Sequence, residues 1–242
     1  MKKVVFAIIM LLFISVMAVA QNTKLKFRKI NDNVYTYTNY HLFSGSPFPS
    51  NSSYLVTDDG VVLFDTPWDE TQFQPLLDSI EKRHGKKVVL CIATHFHDDS
   101  SAGLEYYRSK GIKTYTSKFT KELAEKHNAK QAEFIFENDT VFTIGGQRIE
   151  TFYPGEGHSY DNIVIWLPKD KFLFGGCFLK SVESDNLGNL SDANVSAWDE
   201  SLIKLMKKFP KPMYVETGHF KGSKGWKAVK HTLKLVKDYK PD

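Results

Sequence analysis

The stretch Lys87-Val88-Val89-Leu90-Cys91-Ile92-Ala93-Thr94-His95-Phe96-His97-Asp98-Asp99-Ser100 carries the decision about the fold. Its first half, residues 87–93, is apolar almost throughout. A strand with one wet face alternates polar and apolar residues, whereas an unbroken run fits a strand covered on both faces. Directly after it, His95, His97 and Asp99 fall on alternate positions. If the backbone stays extended there, three metal-capable side chains point the same way. Imidazole and carboxylate donors at such spacing suit Zn²⁺.

Upstream, residues 33–38 alternate and are rich in β-formers, and residues 53–56 and 60–64 flank the turn Asp58-Asp59-Gly60, a hairpin signal. Phe73, Leu76, Leu77 and Ile80 repeat at helical spacing, predicting a helix over 70–83 closed by Gly85 at its C-terminal end. Downstream, a helix from about Ala102, a strand at 112–115 and a helix over 118–127 continue the alternation. Further strands are expected at 141–144, 147–153, 162–167, 172–174 and 213–215. A helix capped by Ser196 presents Trp198, Leu202, Leu205, Met206 and Phe209, and a last helix buries Trp226, Val229, Leu233 and Val236. The pattern alone predicts an α/β protein with sheets inside and helices outside. Two mixed halves of similar size extend that to a four-layer αββα sandwich.

Three more strands end in a ligand-type residue. Gly155-Glu156-Gly157-His158 follows one, Gly175-Gly176-Cys177 another, and Thr217-Gly218-His219 a third. Glycines let the backbone turn closely there, and sites in sheet enzymes gather beyond the carboxyl ends of strands. Six ligands exceed one tetrahedral zinc site, so two metals per chain are implied.

The set His95, His97, Asp99, His158, Cys177 and His219 resembles the metallo-β-lactamase superfamily over nearly all of residues 21–242. Many hydrolases of that superfamily carry His-x-His-x-Asp-His and a later bridging aspartate. Here Ser100 stands in place of the histidine and Cys177 near the place of the aspartate. This is similar to the class B β-lactamase subclass with a three-histidine site and an Asp-Cys-His site, and His95 in place of asparagine argues against the mono-zinc subclass. The resemblance implies two Zn²⁺, one on His95, His97 and His158, the other on Asp99, Cys177 and His219. It further implies hydrolysis of the β-lactam amide by water activated at the metals. In that reading Asp99 orients the attacking water, Asn189 polarises the lactam carbonyl and Lys180 anchors the substrate carboxylate. The residue-level alternatives are a surface lysine for Lys180 and a turn-former beside Gly188 for Asn189. Residues 41–49, aperiodic yet rich in Gly, Pro and large apolar groups, resemble a flap that closes over substrate. Phe43 and Trp68 would then wall the site, although Phe43 and Phe48 fit equally well as core residues. A di-zinc hydrolase of thioesters or lactones, and a non-catalytic exported zinc-binding protein, are the rival functions.

Two cysteines in an exported chain suggest a disulfide. Cys91 and His95 are four apart on a strand, about 13 Å, which places Cys91 deep in the sheet and Cys177 at its rim, so a bridge is not expected. Asp65, before Thr66-Pro67, is read as structural or as a support behind the ligands, without a specific role. His84 and His127 end helices, where positive charge is favourable; these two, with His41 and His231, are read as ordinary.

The 242 residues carry a net charge of +4, with 42% apolar and 25% charged residues, ordinary for a globular protein. That charge is too weak, and its lysines too dispersed, for a nucleic-acid partner. Lys2 and Lys3, the apolar run 4–16 and the small residues Ala18-Val19-Ala20 read as a signal peptide over 1–20. The expectation is a soluble periplasmic monomer without stable membrane attachment, taking a small β-lactam as its partner.

Overall fold

The computed structural model describes residues 24–43, 45–137 and 139–240; the expected signal peptide lies outside them. In chain order the elements are β1 (Lys26–Lys29), β2 (Val34–Phe43), β3 (Ser46–Thr57), β4 (Gly60–Phe64), α1 (Phe73–His84), β5 (Val88–Ile92), α2 (Asp98–Ser101), α3 (Leu104–Ser109), β6 (Lys113–Ser117), α4 (Lys118–Lys126) and β7 (Phe134–Phe136). The second half contains β8 (Val141–Ile144), β9 (Gln147–Phe152), β10 (Val164–Leu167), β11 (Phe172–Phe174), α5 (Val195–Lys208), β12 (Tyr214–Glu216), β13 (Ser223–Lys224) and α6 (Lys227–Asp238). Strands β1 to β7 form one sheet in sequence order, and β13-β12-β11-β10-β9-β8 form the other.

Side-chain alternation builds the layers. On β4, Val61 and Leu63 face α1 and α3, packing with Leu76, Ile80, Leu104 and Tyr107. The intervening Val62 and Phe64 face the other sheet, among Ile149, Ile165 and Phe174. On β10, Ile165 and Leu167 join that inter-sheet core, while Val164 and Trp166 pack under α5 and α6 with Trp198, Leu202 and Val229. The order is therefore helices, sheet, sheet, helices: the four-layer αββα sandwich. The apolar run at β5 is explained by both faces being covered, with Cys91 in the helix-facing cluster and Leu90 and Ile92 between the sheets. Cys91 and Cys177 are both free and buried.

Several local expectations are corrected. The first turn of the helix expected from residue 70 is a separate 3₁₀ turn, Glu70–Gln72, whose cap is Asp69 accepting from the Thr71 N–H. Gly85 closes α1 in the left-handed conformation, φ 63°, as expected. The cap of α5 is Asn194, which accepts from Ala197 N, while Ser196 lies inside the first turn and donates to Asn194 Oδ1. Residues 41–49 are not an aperiodic loop. β2 and β3 pair as far as Phe43 and Ser46, because ladder hydrogen bonds extend a hairpin even where neither face is buried enough to impose alternation. Ser44 and the Phe43 side chain lie outside the described residues. Among those described, no helix is long and apolar enough to cross a membrane.

Candidate metal centre

Four strands deliver the site to one edge. β9 and β11 both run antiparallel to β10, and β12 runs parallel to β11. The carboxyl ends of β9, β11 and β12 therefore lie level, at Phe152, Phe174 and Glu216, and His158, Cys177 and His219 follow them. From the other sheet, β5 ends at Ile92. A hydrogen bond from Ile163 N to Thr94 O, 2.9 Å, joins the two sheets beside His95.

The expectation of an extended backbone through Asp99 is corrected. His97 is the extended N-cap of α2, φ −66° and ψ 154°, and Asp99 already lies in the helix. The three side chains still converge, because the bend is held from below. The Asp65 carboxylate accepts from Thr94 N (2.7 Å), Thr94 Oγ1 (2.8 Å) and Ser100 Oγ (2.5 Å). Burial pushes the Asp65 carboxyl up to about 7, with the Ser100 and Thr94 hydrogen bonds opposing the rise. The residue without an assigned role thus anchors both ends of the ligand loop.

Three imidazoles pack edge-to-face, with ring centroids 4.8 Å apart for His95 and His97, 5.2 Å for His95 and His158, and 5.0 Å for His97 and His158. His97 Nδ1 and His158 Nε2 face one another at 3.1 Å. Beside them, Asp99 Oδ2 lies 3.0 Å from Cys177 Sγ and 3.3 Å from His219 Nε2, and Sγ lies 3.4 Å from that nitrogen. Asp99 Oδ1 is 3.5 Å from His95 Nε2, so the carboxylate stands between the two triads. Gly218 allows the last approach: a Cβ there would meet Cys177 Sγ at 2.5 Å.

This donor set fits zinc. Bonds of about 2.0–2.1 Å in a tetrahedron place neighbouring nitrogens and oxygens about 3.3 Å apart, close to the 3.3 Å between Asp99 Oδ2 and His219 Nε2 and the 3.1 Å between His97 Nδ1 and His158 Nε2. The buried His95 Nε2 has no hydrogen-bond partner in the protein, a costly omission unless another group satisfies it. Burial pushes His95 down to about 3 and His158 well below the usual histidine range, so both present neutral, ligating rings. Burial raises the Cys177 thiol, and the Asp99 charge adds to the rise; a cation is what would release that proton. For Asp99 burial acts upward, but the His219 hydrogen bond and the neighbouring histidines hold the carboxyl well below its ordinary value.

Around the centre, His219 Nδ1 bonds to Pro49 O at 2.8 Å, directing Nε2 inward. Asp192 Oδ2 accepts from His97 Nε2 at 3.1 Å, leaving Nδ1 for the cluster. The Asp192 contact went unread in the sequence; an acidic residue in an aperiodic loop gives no signal of a partner 95 positions away. Asn189, on the same loop, is exposed, and its Oδ1 accepts from Ser191 N at 3.1 Å, so its side chain closes the turn. Lys180 is 7% exposed, its ammonium 5.3 Å above the Trp198 ring, and it lines a cavity of about 290 Å³ with Phe48, Ser181, His219 and Phe220. Burial lowers its pKa. Trp68 stacks on His41 at 4.8 Å and its ring lies 6.4 Å from His219. With His41, Asp98 and Tyr106 it lines a cleft of about 820 Å³ on the other side. His41, read as ordinary, is thus part of that wall.

Level strand ends and abutting groups of candidate ligands define a metallohydrolase centre on an αββα scaffold. Residues 45–219 match the metallo-beta-lactamase superfamily. The chain is 44% identical to a metallo-beta-lactamase type 2 of Elizabethkingia meningoseptica, covering 99% of this chain and 96% of that one. It is 41% identical to metallo-beta-lactamase IND-1 of Chryseobacterium indologenes over 86% of each. The solved metallo-beta-lactamase from Pontibacter korlensis superposes with a TM-score of 0.85 at 35% identity, over 89% of this chain and all of that one. The chain belongs to the metallo-β-lactamase superfamily.

Proposed function

We propose that this protein is a periplasmic β-lactamase that opens the lactam amide of penicillins, cephalosporins and carbapenems at a centre of two zinc ions. The observation that carries the reading is the packing of the His95, His97 and His158 rings beside the Asp99, Cys177 and His219 group, with the Asp99 carboxylate reaching both. His95, His97 and His158 would hold one ion, and Asp99, Cys177 and His219 the other. When bound, the metals make a water acidic enough to attack near neutral pH and polarise the carbonyl it attacks.

The chain's own residues do the remaining work. The Asp99 carboxylate, between the triads, accepts the hydrogen bond that orients the attacking water. Lys180 is a buried ammonium with no ion pair among the described residues, which favours it as the seat for the carboxylate that β-lactams carry. With that end anchored beside His219, the substrate's other end reaches the Trp68 and His41 wall. Asn189 would donate its amide to the carbonyl oxygen. Residues 1–20 would direct export and be removed, leaving a soluble monomer.

The test is hydrolysis of a chromogenic cephalosporin and a carbapenem by the chain from residue 21, with and without a chelator. Chelator-sensitive turnover restored by zinc is the expected result. Binding of two zinc equivalents without turnover would instead favour a thioester or lactone hydrolase of the same fold.

A further inference from the structure

The loop that carries His219 is held by the neighbouring sheet as well as by its own, where Gly218 N donates to Gly176 O at 2.7 Å. Beyond Glu216 four successive carbonyls need partners. Thr217 O accepts from Asn51 Nδ2 at 3.1 Å, and Gly218 O accepts from Asn51 N at 2.7 Å. His219 O accepts from Thr217 Oγ1 at 2.9 Å, and Phe220 O accepts from Asn51 Nδ2 again. Phe220 sits in the left-handed region, φ 57°, which a bulky residue adopts only when its surroundings impose it. The Asn51 side chain is buried and its orientation is fixed, since Thr38 Oγ1 donates to its Oδ1 at 2.9 Å. Both amide protons are thereby committed to the His219 loop.

We infer that Asn51 is a positioning residue for the second ligand triad: its side-chain amide, donated to Thr217 O and Phe220 O, locks the turn that sets His219 against Asp99 and Cys177. The backbone bonds at Gly218 remain when the Asn51 side chain is replaced, so the variants report what the side-chain amide adds. The inference rests on the two-metal reading and concerns metal affinity rather than turnover.

Cobalt(II) titration of the chain from residue 21 tests it, because a thiolate ligand gives a charge-transfer absorption that reports the Cys177 site alone. Asn51→Ala removes the amide. Asn51→Asp keeps the shape and the Thr38 contact but turns an acceptor toward two carbonyls. Both are expected to weaken the thiolate-bearing site about 10–100-fold, leaving the three-histidine site unchanged. Equal weakening of both sites, or a lower melting temperature of the metal-free protein with the thiolate band unmoved, would overturn the inference. If neither variant folds, Thr38→Val decides. It leaves Asn51 in place but unlocks its orientation, and should weaken the same site to a smaller degree; no change would count against the inference. A wild-type chain that takes up only one equivalent overturns the two-metal reading and this inference together. Two equivalents with unaffected variants overturn this inference alone.

Discussion

In the two-metal reading Cys177 and Asp192 would serve different ions, and single substitutions separate them. Cys177 Sγ contacts Asp99 and His219, so Cys177→Ser is expected to remove the second zinc equivalent and keep the first. Hydrolysis should fall by at least about 100-fold, since even residues behind the ligands cost 10–100-fold; zinc analysis after dialysis and initial rates check both. Full zinc content with full rate would exclude the assignment. Asp192→Ala releases His97 Nε2 and lets the ring turn, so the three-histidine site should weaken by about 10–100-fold with the thiolate-bearing site intact. Burial acts upward on the Asp192 carboxyl, yet the His97 and Ser191 hydrogen bonds hold it below the usual range, so the contact persists as a charge-assisted bond at neutral pH.

Among the elements, α1 gives a pH dependence. Its last residue, His84, was expected to favour a positive charge at the helix end. In the fold, its Nε2 lies 3.0 Å from the Tyr54 hydroxyl on β3, and burial together with the Arg83 charge lowers its pKa from the ordinary histidine value. A folded pKa below the unfolded one means the unfolded chain binds more protons, so stability rises with pH across that window. The contribution is complete above about pH 6.5 and is lost as pH falls through the folded value. The difference in urea midpoint between wild type and His84→Ala should therefore shrink from pH 7.5 to pH 5; a difference that grew toward acid would contradict the assignment. The hairpin β2–β3 matters at this scale as well, since its far end packs Phe48 on the His219 ring, centroids 5.1 Å apart, and its inner part supplies Pro49 and Asn51 to the same loop.

For the whole molecule, metals bound across both sheets should act as a clamp between the halves. Ligands that bind only the folded state add about 4 kcal/mol each at a thousandfold excess over Kd, which for a chain of this size raises Tm by about 10 °C per site. Calorimetry with and without a chelator measures this, and an unchanged Tm would mean the triads do not hold metal in the folded protein. The sequence by itself determined the layers and named the candidate donors that the fold brings together. Periodicity reports which faces are buried, as at β5 and α1, and His, Cys and Asp at strand ends are visible one residue at a time. Only the tertiary structure decided what lies behind them: which groups Asp65 holds under the ligand loop, Asp192 on His97, Asn51 on the His219 turn, and Tyr54 on His84. Each is a polar contact between residues at least 29 positions apart. A hydrogen bond of that kind depends on where two elements come to rest in space, and no local pattern in the chain encodes it.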